Sequence, residues 1–128
     1  MMRRNNEAAE RAKRRQEAED DSPRLQDEIP SLASLRLVIA YRRGEMPIAD
    51  SAHVKIVVVA RAPALFVLPC SSKECRDGGH DITSMVMHAL RAGKTKFAGE
   101  DQCRGALGSA GTPCTGTGTF EAEATYNN

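Results

Sequence analysis

The segment 35–42 alternates between large apolar side chains and charged or smaller ones. Its large members are Leu35, Leu37, Ile39 and Tyr41. A period of two residues is typical of a β-strand that buries one face. The segment 54–60 is almost wholly apolar and rich in β-branched residues. That composition predicts a central strand of a sheet.

Three more strands are predicted farther along the chain. Residues 65–68 form the first, after a turn over 61–64, and this order of strands favours an antiparallel meander. Residues 94–98 and 119–126 form two shorter strands. The glycine- and threonine-rich stretch 105–118 between them is expected to be a flexible loop.

One segment has the period of an amphipathic helix. Its apolar residues recur at i, i+3, i+4, i+7 and i+8, and they are Ile82, Met85, Val86, Ala89 and Leu90. Asp81 or Thr83 can cap the start of this helix, and Gly93 lies just past its end. His88 lies off the apolar stripe and is expected to face solvent. Strands and helix together predict an α+β fold, a small antiparallel sheet with one main helix.

The N-terminal part of the chain has a different composition. Residues 1–28 carry seven basic and eight acidic side chains, and their only large aliphatic side chain is Leu25. Residues 6–21 have good helix propensity but no Leu or Ile to form a coiled-coil seam. We therefore predict a charged helical or disordered extension and linker over 1–32, followed by one α+β domain over 33–128.

The overall charge and hydropathy exclude some classes of protein. The 128 residues contain 18 basic and 17 acidic side chains, a balance that does not favour a dedicated nucleic-acid or membrane-surface binder. The N-terminal charges are not followed by an apolar stretch, so no secretory signal is predicted. The most apolar segment, 54–70, is interrupted by charged residues and prolines, which disfavours a membrane span. The expected location is the cytoplasm, where thiols stay reduced.

Four cysteines are the strongest chemical signal in the chain. They are spaced C-x4-C, then twenty-seven residues, then C-x10-C, at Cys70, Cys75, Cys103 and Cys114. Four soft ligands from two separated elements suit tetrahedral Zn²⁺ and leave no open position for a substrate. We therefore predict a structural zinc site that uses all four. Three alternatives stay open: cysteines that bind no metal, an iron–sulfur cluster, and disulfides in any of three pairings.

His80 lies in the sequence Gly78-Gly79-His80-Asp81, five residues after Cys75. It could replace one cysteine as a ligand, but the interpretation we favour places it beside the ligands or on the surface. Asp81 is better explained as a helix cap than as a catalytic acid. The two glycines permit positive φ angles where the chain leaves the metal-binding turn.

A set of short motifs resembles a small, functionally uncharacterised group of bacterial zinc-ribbon-like proteins. These motifs lie within residues 33–126 and are Cys70-x4-Cys75, Gly79-His80-Asp81-Ile82-Thr83, Phe97-x-Gly99, Cys103-x-Gly105, Cys114 and Tyr126. The resemblance implies a compact α+β domain with a four-cysteine metal site. It implies no particular activity.

Three functions are compatible with these features. A zinc-stabilised protein-interaction or adaptor module is favoured, because it needs only a metal-pinned core and exposed surfaces. Weak nucleic-acid binding is the alternative, with a phosphate-binding patch formed by Arg91, Lys94, Lys96 and Arg104. A zinc- or thiol-dependent enzyme is less favoured. It would need an open metal position or a cysteine paired with His53, His80 or His88, and neither an H-x-E nor an H-E-x-x-H pattern occurs.

Overall fold

The computed structural model describes residues 2–70, 75–76, 79–103, 105–107 and 112–127. The helices in these ranges are α1 (Met2–Asp21), α2 (Leu25–Glu28) and α3 (Thr83–Arg91). The strands are β1 (Leu32–Arg43), β2 (Met46–Pro47), β3 (His53–Val57), β4 (Val67–Leu68), β5 (Cys75–Arg76), β6 (His80–Asp81), β7 (Lys96–Gln102), β8 (Ala106–Leu107), β9 (Thr112–Pro113) and β10 (Gly116–Tyr126). The fold is α+β, which confirms the class predicted from the sequence.

The main sheet is antiparallel and contains five strands. Its order is β2-β1-β10-β7, and β3 pairs with the same side of β1 as β2 does. The long strands β1 and β10 pair from Leu32 opposite Tyr126 to Arg43 opposite Gly116. The other strands form two small sheets, β4-β6 and β5-β8-β9. The main sheet is therefore built around contacts between residues that lie far apart in the chain.

The core lies on one face of this sheet. The alternating apolar residues of β1 are buried there, and so are Phe120, Ala122 and Ala124 of β10. Helix α3 contributes Val86, Met87 and Leu90 to the same cluster. The alternating pattern of 35–42 and most of the helical stripe of 82–90 thus point into one shared core. The stripe differs from its prediction at two positions, since Met85 is only partly buried and Met87, which lies off the stripe, is buried.

The predicted meander is wrong. Strand β1 does pair with β3, but the next strand, β4, leaves the sheet and pairs with β6. On its other side β1 pairs with β10, over a much longer stretch than it pairs with β3. The stretch 105–118 is also not simply a loop, because it contains β8, β9 and the start of β10.

Strand β3 is not the buried central strand that its composition predicts. Among the described strands it pairs with β1 alone, so it lies at an edge of the sheet. Only Val57 of its five residues is buried. An apolar run fits an edge strand as well as a central one, and the longer β10 occupies the central position.

The start of α3 is tied to the chain that leads into β4. The cap position is occupied by Ile82, and neither Asp81 nor Thr83, the predicted caps, stands there. Asp81 lies one residue earlier, and its carboxylate accepts a hydrogen bond from the backbone N–H of Thr83 at 3.0 Å. The Thr83 hydroxyl accepts a hydrogen bond from the backbone N–H of Phe66 at 2.8 Å. His88 is exposed, as its position off the apolar stripe predicts.

Helix α1 and the segment after it differ in how they meet the core. Every residue of α1 whose side chain is described is exposed. The next segment, expected to be a linker, packs into the core, since Leu25 and Ile29 are only 0% and 5% exposed. Its backbone is anchored by bonds from Leu25 N–H to the Ala62 carbonyl and from Ala64 N–H to the Pro23 carbonyl. None of the described helices is long and apolar enough to cross a bilayer.

This contrast predicts that two N-terminal truncations will behave differently. Removing residues 1–21 should leave the melting temperature nearly unchanged, because the described side chains of α1 bury nothing. Removing residues 1–30 also deletes Leu25 and Ile29, and each buried aliphatic side chain contributes about 1.5–3 kcal/mol. The longer deletion should lower the melting temperature by roughly 10 °C or more, measured by circular dichroism. Equal melting temperatures for the two variants would contradict the packing of these two residues.

Candidate metal centre

Two of the cysteines are brought together by the pairing of β7 with β10. Cys103 directly follows β7, and Cys114 comes shortly before β10. Because these strands are antiparallel, the end of one lies beside the start of the other, and Cys103 N–H donates to the Gly116 carbonyl at 2.8 Å. Cys114 N–H donates to the Gly105 carbonyl at 2.9 Å. The two cysteines therefore lie at the base of the β8-β9 hairpin.

The third cysteine reaches this place from β4. Leu68 in β4 pairs with His80 in β6, and Cys70 lies two residues beyond Leu68. The Cys70 Sγ is 3.6 Å from the Cys114 Sγ. The sulfur atoms of Cys70, Cys103 and Cys114 all lie within 4.8 Å of one another. Three cysteines from separated parts of the chain are thus close enough to hold a metal ion.

The spacing of the sulfurs fits a tetrahedral thiolate site. Zinc binds thiolate sulfur at about 2.3 Å, so two sulfurs of a tetrahedral site lie about 3.8 Å apart. The 3.6 Å between Cys70 Sγ and Cys114 Sγ is close to that value and far above the S–S bond length of about 2.04 Å. Cys103 and Cys114 are buried, and Cys70 is partly exposed. The donor set suits a soft, thiophilic metal.

Backbone amides surround one of these sulfurs. The N–H groups of Gly79 and Gly105 both donate to the Cys103 Sγ at 3.4 Å. Hydrogen bonds of this kind favour the thiolate, which is the form that binds metals. Gly79 has φ +148°, and a Cβ there would meet the Leu68 carbonyl oxygen at 3.1 Å. The glycine is therefore required for this N–H group to reach the sulfur.

Cys75 is placed by its backbone alone. It lies in β5, opposite Leu107 of β8, so its strand runs beside the hairpin that joins Cys103 to Cys114. The side chain of Cys75 lies outside the described structure. Gly78 also lies outside the described residues. The participation of Cys75 as a fourth ligand stays a prediction.

His80 is completely buried, with 0% of its surface exposed, and its position follows from a glycine in the sheet. Tyr41, Gly118 and Asp101 lie opposite one another on β1, β10 and β7. Because Gly118 has no side chain, it leaves a gap in this row. A Cβ at this position would lie 3.0 Å from the His80 Cγ. The imidazole covers this gap, with its centroid 5.8 Å from that of the Tyr41 ring.

The ring nitrogens of His80 do not join the cysteine group. Among the described residues, only the three cysteines form a cluster of donor atoms close enough to share a metal. The His80 Nδ1 lies 3.5 Å from the Asp101 carboxylate, within ion-pair distance but too long for a good hydrogen bond. Neither ring nitrogen has a hydrogen-bond partner among the described residues. His80 therefore lies beside the centre, packed against Tyr41 and Gly118 of the sheet, and not on the surface.

The sequence pattern predicts Tyr41 only as a core residue. In the structure this residue also borders the cysteine cluster. Burial raises the pKa of its phenol, and the nearby Cys70 thiolate raises this pKa further. Its ring stacks on that of His53, with centroids 6.2 Å apart. Gly118, inside β10, is the sequence signal that could have indicated a close approach here.

The predicted phosphate-binding patch is partly neutralised by acidic neighbours. Arg91 lies 3.5 Å from the Glu28 carboxylate, and Lys96 is opposite Glu123 in the sheet. Lys94 is exposed in the turn between them. Arg104 lies outside the described residues.

Comparison with protein-family models, with curated proteins and with solved structures finds no match to this chain.

Proposed function

We propose that this chain is a small zinc-binding protein whose metal is structural, held by Cys70, Cys75, Cys103 and Cys114. The observation that carries the proposal is the cluster of three sulfurs within 4.8 Å of one another. The ends of β4, β7 and the β8-β9 hairpin meet at this cluster. A metal bound there would join the small sheets to the main one.

The choice of Cys75 as the fourth ligand rests on position and on chemistry. Its strand β5 pairs with the hairpin that begins at Cys103. A fourth thiolate completes a tetrahedral site without an open position, the arrangement typical of structural zinc. The alternative ligand, His80, has its ring packed over Gly118. The resemblance to zinc-ribbon-like proteins supports the same ligand set.

The role we propose for the domain is that of a protein-interaction or adaptor module. A metal closed off by four cysteines stabilises a fold and offers no site for substrate. The exposed apolar residues of the main sheet then provide the contact surface, and among them are Met46 of β2 and Val54 and Ile56 of β3. The nucleic-acid alternative is disfavoured by the carboxylates beside Arg91 and Lys96.

The metal content provides the direct test. We expect close to one zinc per chain by elemental analysis of protein expressed in medium that contains both zinc and iron. We also expect the cysteines to resist alkylation until a chelator is added, because metal-bound thiolates are shielded. Protein without metal, in which all four thiols react at once, would contradict the proposal. Iron with visible charge-transfer absorption would instead establish an iron–sulfur or iron–thiolate site.

A further inference from the structure

The three described sulfurs of the cysteine cluster differ in their access to solvent. Cys70 is partly exposed, whereas Cys103 and Cys114 are only 4% and 2% exposed. Binding to a metal slows the reactions of a thiolate but leaves lone pairs on its sulfur, so an exposed thiolate stays open to a small oxidant. An oxidant that approaches from solvent therefore meets the sulfur of Cys70 first.

A second sulfur lies close enough to Cys70 to complete a disulfide. The Cys70 Sγ and the Cys114 Sγ are 3.6 Å apart, and a disulfide bond of about 2.04 Å requires them to approach by about 1.6 Å. Cys70 lies two residues beyond the end of β4. A shift of this size can therefore occur without separating β4 from β6.

Cys103 is a poorer partner for Cys70 than Cys114 is. The Cys103 sulfur accepts hydrogen bonds from two backbone N–H groups at 3.4 Å, and these bonds stabilise its thiolate. A thiolate stabilised in this way has a lower pKa and is a weaker nucleophile. In the part of the chain that the structure describes, no backbone N–H donates to the Cys114 sulfur. Cys114 is therefore the better attacking sulfur.

We propose that a hydroperoxide oxidises Cys70 and that Cys114 then forms a disulfide with it, which makes the metal centre a reversible redox switch. With hydrogen peroxide, the Cys70 thiolate attacks one oxygen, an S–O bond forms, the O–O bond breaks and hydroxide leaves. The Cys114 thiolate next attacks the Cys70 sulfur, the S–S bond forms, the S–O bond breaks and a second hydroxide leaves. The two sulfurs lose two electrons, the peroxide gains them, and two protons from solvent complete two molecules of water.

This oxidation would regulate the proposed zinc site, because it removes two of its four ligands at once. Thiolates bind the metal, and a disulfide offers none, so zinc should be released. The disulfide would still join the end of β4 to the segment before β10, which retains the connection between the small sheets and the main one. The release of zinc rests on the proposed function, whereas the pairing of the two cysteines does not.

The disulfide can be located in the unchanged chain. Trypsin places the four cysteines in four different peptides, which are 62–73, 74–76, 97–104 and 105–128. After treatment of the folded protein with equimolar hydrogen peroxide, mass spectrometry without reduction should find 62–73 joined to 105–128. The matched control is the same chain oxidised in denaturant. There Cys70 should join Cys75 instead, because a short loop closes more readily than a long one.

Zinc release is measured on the same sample with a chromogenic chelator. Free zinc should rise to about one per chain as the disulfide forms, and a thiol reductant with added zinc should restore the bound metal. If another pair of peptides is joined in the folded protein, or if zinc stays bound after the disulfide has formed, the redox proposal is overturned and the metal site stands. Protein purified without metal that still joins Cys70 to Cys114 supports the pairing and contradicts the proposed function.

Discussion

Replacing Cys103 with serine is expected to cost several kcal/mol of unfolding free energy. Its sulfur accepts two backbone N–H groups and lies within 4.8 Å of the sulfurs of Cys70 and Cys114. If a metal joins these sulfurs, its binding energy contributes to folding, because the separated ligands form no site in the unfolded chain. A loss of this size is comparable to the whole stability of a small domain, about 5–15 kcal/mol. Denaturant titration followed by circular dichroism measures it.

A chelator separates the effect of the metal from that of packing. In excess chelator, the unchanged protein should lose most of the unfolding free energy that the Cys103→Ser substitution removes. The Cys103→Ser variant itself should lose little more in chelator, because its interaction with the metal has already been removed. Cys75→Ser should behave like Cys103→Ser if Cys75 is the fourth ligand. If the cost of Cys103→Ser is the same with and without chelator, the sulfur acts by packing alone, and the proposed site fails.

Replacing His80 with alanine is expected to destabilise the fold while leaving the metal bound. The ring is wholly buried against Gly118 and Tyr41, and the removal of a buried side chain of this size costs about 2–5 kcal/mol. The metal-to-chain ratio of the folded protein should stay near one, because the cysteines are retained. Elemental analysis and thermal denaturation of the same sample measure both quantities. The matched control is His88→Ala, in which the same residue type is exposed, and it should change neither.

Gly118 provides a second test of where the imidazole lies. A Cβ at this position would lie 3.0 Å from the His80 Cγ, so Gly118→Ala should displace the ring and lower stability. In the His80→Ala background the same change should cost much less, because the ring is gone. Loss of the metal from a folded His80→Ala variant would instead make His80 a ligand. Three cysteines and one histidine also complete a closed tetrahedral site, so the metal would remain structural.

Part of the fold follows directly from local sequence periodicity. The period of two in β1 and in the second half of β10, and the helical period of α3, identify which side chains reach the core. These patterns depend only on the geometry of a strand or a helix, so a single segment is enough to reveal them. The α+β class follows from their combination.

The candidate centre was predictable in its chemistry but not in its geometry. The number and type of cysteines indicate a thiophilic metal, whatever the fold. The meeting of Cys70 with Cys103 and Cys114 depends on two pairings, β4 with β6 and β7 with β10. The burial of His80 depends on Gly118, which lies thirty-eight positions away.

The sequence by itself therefore determined strand β1, the second half of β10 and helix α3, the charged character of the N-terminal helix and the thiol chemistry of this protein. Only the tertiary structure decided that β3 lies at an edge, that Leu25 and Ile29 belong to the core, and that His80 is buried beside the cysteines. The physical reason is the same in each case. Burial and strand order result from competition between distant segments for the same partner, and β10 pairs with β1 over a longer register than any strand nearer in sequence.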